Sequence, residues 1–311
     1  MLKFLQLIEK YFGLCLVLAL VIWLTLPRFA ILFQPYIIYI VQIILFLSCL
    51  KVDFTKFKTA FKRPWRILYI SVFVMIIFPI FFYLLTKIVY PELAIGILIL
   101  TAMPTAMSAP VFTDITKWNT SLTLMFTILL TLICPITVPF LIKYLIGVQI
   151  HIDLRAMILM LTKVVFIPFI LAVIVRWLVP KAITKTKEYY GWLSIILLMF
   201  VIFPPLAAYR SYFFTNPIKI IPMLLYLCVI SALLHILWWV ISYKSSHEDK
   251  TSISIVTWYM NLTLSIVFAM QFFWPAAVMV IILFDIPWDL MLIPFKYIVE
   301  RIWIKEKQTN K

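Results

Sequence analysis

Apolar residues run along this chain in blocks of about 20, separated by short stretches that hold most of the charge and several of the prolines. A helix rises about 1.5 Å per residue, so about 20 apolar residues match a hydrocarbon layer about 30 Å thick. Ten such blocks are read from the sequence: roughly 11–26, 30–50, 67–86, 93–113, 119–146, 156–179, 192–209, 218–243, 251–272 and 275–299. They predict an all-α polytopic membrane protein with ten transmembrane helices. No loop is long enough for a soluble domain, and no Gly/Ser linker, heptad or low-complexity tract breaks the pattern.

Composition removes the aqueous alternative. Of 311 residues, 65% are hydrophobic and 13% charged, with a mean hydropathy of +1.12. Soluble domains run near about 45–50% apolar and about 25% charged. The net charge of +15 would point to nucleic acid if it were clustered, but the cations sit in the short loops. On the side holding the N-terminus lie 20 of the 27 Lys and Arg, including Lys51, Lys56, Lys58, Lys62, Arg63 and Arg66, then Arg176, Lys181, Lys185 and Lys187. The opposite side has six, namely Arg28, Lys87, Lys143, Arg155, Arg210 and Lys219, and Lys163 lies inside the sixth span. This asymmetry predicts a multi-pass plasma-membrane protein with both termini cytoplasmic, and lipid rather than nucleic acid around it. Cys15, Cys49, Cys134 and Cys228 sit in apolar runs without metal or redox spacing and are expected to pack. No A-x-A-like site follows the first apolar run, so no cleavable leader is expected.

Five spans followed by five imply an inverted repeat, because an odd-numbered unit re-enters the membrane in the opposite sense when duplicated. The expected repeats are 1–146 and 147–311. The fourth span of each is polar. One carries Thr101, Thr105 and Ser108 beside Pro104 and Pro110, the other Ser252, Ser254, Thr257, Asn261, Thr263 and Ser265. Two prolines six apart each remove an N–H and clash with a carbonyl four residues back, so span 4 should break. Freed backbone groups are tolerated in lipid only against protein or a water-filled cavity. A kinked packing helix is the plainer reading of the prolines, as interhelical glue is of Asn261. Together they favour a site near the midplane.

Charges at membrane depth are rarer: Lys163, Asp285 and Asp289. Lys163 lies eight residues past Arg155 and Asp285 ten past Pro275, so both are expected about 12–15 Å from the outer face. They are read as partners, either a structural ion pair or a proton-coupling pair. His235 reads as structural, and His151 and His247 as loop residues. No H-E-x-x-H, G-x-S-x-G, P-loop or G-x-G-x-x-G occurs, and four glycines make no phosphate cradle. No enzyme, resident metal or cofactor is expected.

The run Val52-Asp-Phe54, Arg63-Pro64, Phe78-Pro79, Leu93-Ala-Ile-Gly96 and Met103-Pro104, continuing through Lys117, Asn119, Leu122, Thr123 and Thr127 to Pro135 and Pro139, resembles the bile acid:sodium symporter family. Ile253-Ser-Ile255 and Asn261 are similar to that family's span 9. The resemblance covers roughly 50–145 and 251–285 and elsewhere rests on the span count. It implies an inverted 5+5 repeat with interleaved panel and core domains, and fourth and ninth helices unwound where they cross beside the substrate and sodium sites. Carried over, the family's sodium ligands fall on Val74, Ala109, Pro110, Val256 and Met260. Only the hydroxyls of Thr123 and Thr127, as remnants of the ion site, and Asn261 are retained. Hard cations select oxygen ligands, and two threonines do not make a sodium site. Arsenite efflux permeases share the architecture but use a span 4 cysteine, where this chain has Met103 and Met107.

The expected function is therefore secondary transport of a small organic anion by alternating access, with Thr105, Ser108, Asn261 and Thr263 at the substrate site. Half-helix N-termini there favour an anion. Sodium coupling is not expected at the family's ligand positions, and a proton is the other candidate coupling ion. The alternative is a non-transporting membrane sensor or assembly protein on the same fold. A polar open midplane cavity favours the first reading, and filling by Trp258, Tyr259 and Met260 the second.

Overall fold

The computed structural model describes residues 27–51, 64–115, 118–147, 153–208, 217–241, 245–273 and 275–291, with 294–295, 297–299 and 301 beyond them. The first expected span and the loop 52–63 lie outside these residues. Among the described residues every regular element is helical. The α-helices are α1 (Pro27–Leu32), α2 (Ile37–Lys51), α3 (Pro64–Val72), α4 (Phe78–Val89), α5 (Ala94–Ala102), α6 (Ala109–Ile115) and α7 (Thr120–Ile146). They continue as α8 (Leu154–Leu178), α9 (Pro180–Ala208), α10 (Pro217–Ile241), α11 (His247–Trp258), α12 (Leu262–Phe272) and α13 (Pro275–Leu290).

Among the described residues six helical runs are long and apolar enough to cross a bilayer: Gln34–Lys51, Pro64–Val89, Thr120–Ile146, Leu154–Leu178, Tyr189–Ala208 and Ile218–Leu237. The chain is thus a multi-pass membrane protein. Large apolar side chains point outward, as at Trp65, Ile88, Tyr144 and Trp177, because in lipid the outer surface need not be polar. Three further apolar helices, Pro91–Ala102, Leu262–Phe272 and Pro275–Trp288, are shorter. They fall in the fourth, ninth and tenth expected spans. The fourth and ninth are broken, and α13 runs to Leu290 with 294–295 and 297–299 helical beyond it. α9 starts at Pro180, and its apolar part, Tyr189–Ala208, matches the expected 192–209 span. Its Lys-rich first turns defeat an apolar-run criterion although Lys is a good helix former.

Local chemistry sets the ends. Asn119, Asp153, Ser246 and Asn261 each accept from a backbone N–H three residues on and cap α7, α8, α11 and α12. Between α3 and α4 the helix widens into a π-turn over Phe73–Ile77. Pro79 follows directly; it lacks an N–H and its ring crowds the carbonyl of Met75, which a widened turn accommodates.

The helices pack in two groups. In one, α2 lies against α8 and α9, and α1 against α9. In the other, α5 packs on α4 and α13, α7 on α6 and α11, α10 on α11 and α13, and α12 on α13. Contacts of α7 with α8, and of α12 with α2 and α9, join them. The contact of α5 with α13 needs Gly96. A Cβ there would lie 2.5 Å from the Cβ of Val280, so only glycine lets α5 meet α13 at this distance, as small residues do between helices in lipid.

Candidate functional site

The break in span 4 begins where α5 ends. Met103 is extended, with φ −73° and ψ 150°, as expected of a residue preceding proline. α6 resumes at Ala109 with Pro110 in its first turn, where a missing N–H costs nothing. The break in span 9 is shorter: α11 ends at Trp258, and α12 resumes at Leu262 under the Asn261 cap. Both breaks were expected from the sequence, near Pro104–Pro110 and near Met260–Asn261.

The two breaks cross and bond to each other. Thr105 and Met260 form an isolated antiparallel bridge. The Ala106 N–H donates to the Tyr259 carbonyl at 2.5 Å, and the Asn261 N–H to the Pro104 carbonyl at 2.8 Å. The Thr105 hydroxyl donates to the Val256 carbonyl at 2.7 Å. Val256 is among the last four residues of α11, whose carbonyls lack an intrahelical partner. The neighbouring orphans are met locally, Ile255 O by the Tyr259 N–H and Trp258 O by the Met260 N–H. Helix ends that lipid could not satisfy are therefore satisfied by one another. α5 and α11 bring carbonyl ends, of negative dipole sign, and α12 brings an amide end, of positive sign.

Thr105 and Asn261 are 1% and 3% exposed, and the crossing brings them together. Thr263 joins them, its hydroxyl donating to Asn261 Oδ1 at 2.6 Å, while that oxygen also accepts the Leu264 N–H at 3.0 Å. Ser108 stands apart, exposed on the turn that leads into α6. Thr123 and Thr127 are fully buried in α7. Their hydroxyls donate to Asn119 O and Thr123 O in their own helix, and Thr131 extends the ladder to Thr127 O. Around the crossing sit Ala109, Pro110, Val256 and Met260, the positions that the resemblance makes ion ligands; Val74 lies in the π-turn.

The expected partners Lys163 and Asp285 lie on different helices. Lys163 is exposed on α8, which packs against α2 and α7, while Asp285 is half-buried on α13. Leu161, Val164, Val165 and Pro168 define the inward face of α8, and Lys163 lies off it. Equal depth does not give equal azimuth. The side chain of Asp289 lies outside the described residues.

Another ion pair joins described residues, and the sequence reading missed it. Arg66 Nη1 donates to Asp249 Oδ2 at 2.6 Å and Arg66 Nη2 to Ser245 Oγ at 3.2 Å. Asn119 Nδ2 donates to Asp249 Oδ1 at 2.7 Å, and the Asn119 N–H to Ser252 Oγ at 2.8 Å. The starts of α3, α7 and α11 are thereby tied to one carboxylate. Arg66 counts in sequence only as a loop cation and Asp249 as one of a polar cluster, so spacing gives no sign of their meeting across 183 positions.

Aromatic rings fill the space beside the crossing. Trp258, Tyr259 and Met260 are at most 3% exposed. The Tyr259 ring lies 4.5 Å from Phe112 and 4.7 Å from Trp288, and the Trp258 ring 4.1 Å from His235 and 5.4 Å from Phe284. On the other side Met107 faces a crevice shared with Leu45 and Cys49 of α2, Thr131 of α7 and Phe169 of α8. Its volume of about 10 Å³ has room for about one water, far below the about 300–1,000 Å³ of ordinary ligand pockets.

Comparison with known proteins agrees with this geometry. No curated protein matches the chain. A family model described as the SBF-like CPA transporter family matches residues 10–286, which takes in both broken helices and both packing groups. The protein is a member of the SBF-like CPA transporter family, a family of membrane transporters.

Proposed function

We propose that the protein is a secondary active transporter that moves a small organic anion by alternating access, with its substrate site at the crossing of the broken helices. The observation that carries this reading is the buried Thr105–Met260 bridge. Two unwound segments are held at the centre of a membrane protein, an arrangement that lipid tolerates only inside protein and that transporters use to expose helix ends to a ligand. Thr105, Asn261 and Thr263 supply hydrogen-bonding groups, and the N-terminus of α12 supplies the positive end of a dipole. Ser108, on the exposed turn, would meet the substrate from the side of α2 and α8. The reading includes ten helices in an inverted repeat of five and five, with α1, α2, α8 and α9 as panel and the remaining helices as core. Both termini are cytoplasmic in a plasma-membrane protein.

Sodium is not the coupling ion in this proposal. Ala109, Pro110, Val256, Met260 and Val74 offer no side-chain oxygen, and the Thr105 hydroxyl already occupies the Val256 carbonyl. The test is uptake of a panel of mono- and dicarboxylates by protein reconstituted in liposomes under imposed sodium or proton gradients. Uptake above empty liposomes that survives replacement of sodium by choline supports the proposal. Steep sodium dependence would mean that another oxygen set is assembled, with Thr123 and Thr127 the first place to look.

A second reading has its own observation. Trp258, Tyr259 and Met260 fill the crossing, as expected of a membrane sensor or assembly protein that keeps the fold without transporting. Absence of uptake across the panel, in protein shown to be folded, favours it.

A further inference from the structure

The corner where α8 turns into α9 brings a surplus of positive charge to the membrane surface. α8 ends at Leu178 and α9 starts at Pro180, so Val179 alone joins them. At this end α2, α8 and α9 carry Lys51, Arg176, Lys181, Lys185 and Lys187 against one acid, Glu188. α9 has 29 residues, of which its apolar span Tyr189–Ala208 takes 20. A span of that length fills the hydrocarbon layer, so the first turns of α9 stand at the level of the lipid headgroups.

Ile183 fixes how those turns are oriented. It is buried in one apolar cluster with Cys49 and Leu50 of α2 and Ala172 of α8. Lys181 and Lys185 lie two residues to either side of it, about 200° round the helix at about 100° per residue. They therefore share the outward face, and both are exposed. Lys51, the last residue of α2, reaches the same end, its Nζ 3.6 Å from the place of a Cβ on Gly191 of α9. Among the described residues neither Lys181 nor Lys185 pairs with a carboxylate; the side chain of Glu188 lies outside them. The first turn of α9 holds no acid, so Lys181 stands at the positive end of a helix dipole, where negative charge is favoured. Just before it Trp177, Leu178 and Val179 are 80, 61 and 47% exposed. Tryptophan at the end of a span sits where hydrocarbon meets headgroups.

We infer that this corner is a binding surface for anionic phospholipid. Lys181 and Lys185 attract the headgroup phosphates, Lys51 adds to the local positive potential, and Trp177 and Leu178 lie among the upper acyl chains. A lysine ammonium brings three donors to phosphate oxygens, and each lysine near an anionic surface strengthens binding roughly fivefold. An open helix face without buried donors is a poor trap for a free phosphate ion, whereas a bilayer presents its phosphates at this level. The inference is independent of what the crossing transports.

The test is native mass spectrometry of the full-length protein in detergent, titrated with phosphatidylglycerol or with phosphatidylcholine of the same acyl chains. Wild type should hold the first phosphatidylglycerol about tenfold more tightly than phosphatidylcholine, two lysines at roughly fivefold each less what solvent screening removes. K181Q/K185Q should lose most of that preference with its affinity for phosphatidylcholine unchanged, and K181R/K185R, which keeps the charge, should retain it. K219Q should also retain it, because Lys219 opens α10, which follows the far end of α9. An undiminished preference in K181Q/K185Q overturns the site, and an equal loss in K219Q overturns it in favour of net charge. Displacement of phosphatidylglycerol by millimolar inorganic phosphate would make it a phosphate site and overturn the lipid surface. Should K181Q/K185Q fail to fold, the single variants K181Q and K185Q, each expected to lose about threefold, decide the matter.

Discussion

Thr105→Val replaces one hydroxyl by a methyl of nearly the same size at the point where the two broken helices meet. The shape of the crossing and its two backbone bonds, Ala106 N–H to Tyr259 O and Asn261 N–H to Pro104 O, remain available. What is lost is the 2.7 Å bond to the Val256 carbonyl, at a residue 1% exposed, with no room for water to replace it. A buried acceptor left without its donor costs about 1–3 kcal/mol. Hydrogen bonds between helices in lipid are worth less, about 0.6 kcal/mol on average and about 1.7 at most, because the unfolded state also finds partners. Val256 O is an orphan helix-end carbonyl whose own chain gives it nothing, so the upper part of the lipid range applies, about 1.5 kcal/mol. That is roughly a tenfold change in the unfolding equilibrium. Reversible unfolding in mixed detergent micelles measures it, with Thr105→Ser as the control that keeps the hydroxyl. If Thr105→Val lies within about 0.3 kcal/mol of wild type while Thr105→Ser is destabilised, the methyl rather than the hydroxyl matters and the account of the crossing is wrong.

Gly96→Ala puts a Cβ 2.5 Å from the Cβ of Val280 and should destabilise by about 1–3 kcal/mol; Val280→Gly in the same chain should recover much of it, and the lack of any recovery would place the fault elsewhere. Asp249→Ala leaves Arg66 and Asn119 without their shared acceptor and should cost about 1–3 kcal/mol. A double-mutant cycle with Arg66→Ala should show coupling above about 0.5 kcal/mol, and additive effects would demote the bridge to a bystander. Cysteines placed at Lys185, and at Lys56 in the loop 52–63, should resist an impermeant thiol reagent applied outside intact cells; labelling from outside would reverse the orientation.

The break in span 4 was legible because its cause is local: Pro104 and Pro110 remove N–H groups from an apolar run. The break in span 9 was expected only from the resemblance, and the Asn261 cap that ends it reads in sequence as interhelical glue or a site residue. Gly96 showed in the sequence only as part of the family-like run; that it must face Val280 belongs to tertiary packing. The depth of Lys163 was computable from the rise of a helix, yet its direction depends on which face α8 turns to α2 and α7, and that face is exposed at Lys163. Asp249 failed differently. In sequence it is one acid in a polar loop, and its role exists only because Arg66 and Asn119 arrive from helices elsewhere in the chain. His235 reads as a packing residue among aromatics, and its burial and ring contacts agree.

The crossing has a physical account in the charges of its helix ends. Where two helices break in lipid, the last carbonyls of each first half point at one another and carry the negative ends of two dipoles. Something of positive sign must sit there. A cation can fill that role, and so can hydrogen-bond donors supplied by the protein. Here the donors are protein groups: the Thr105 hydroxyl on Val256 O, the Ala106 N–H on Tyr259 O and the Asn261 N–H on Pro104 O. Donors fixed in the chain cannot dissociate, so the crossing is held whether or not an ion is present. A crossing held in this way needs no cation as its cement.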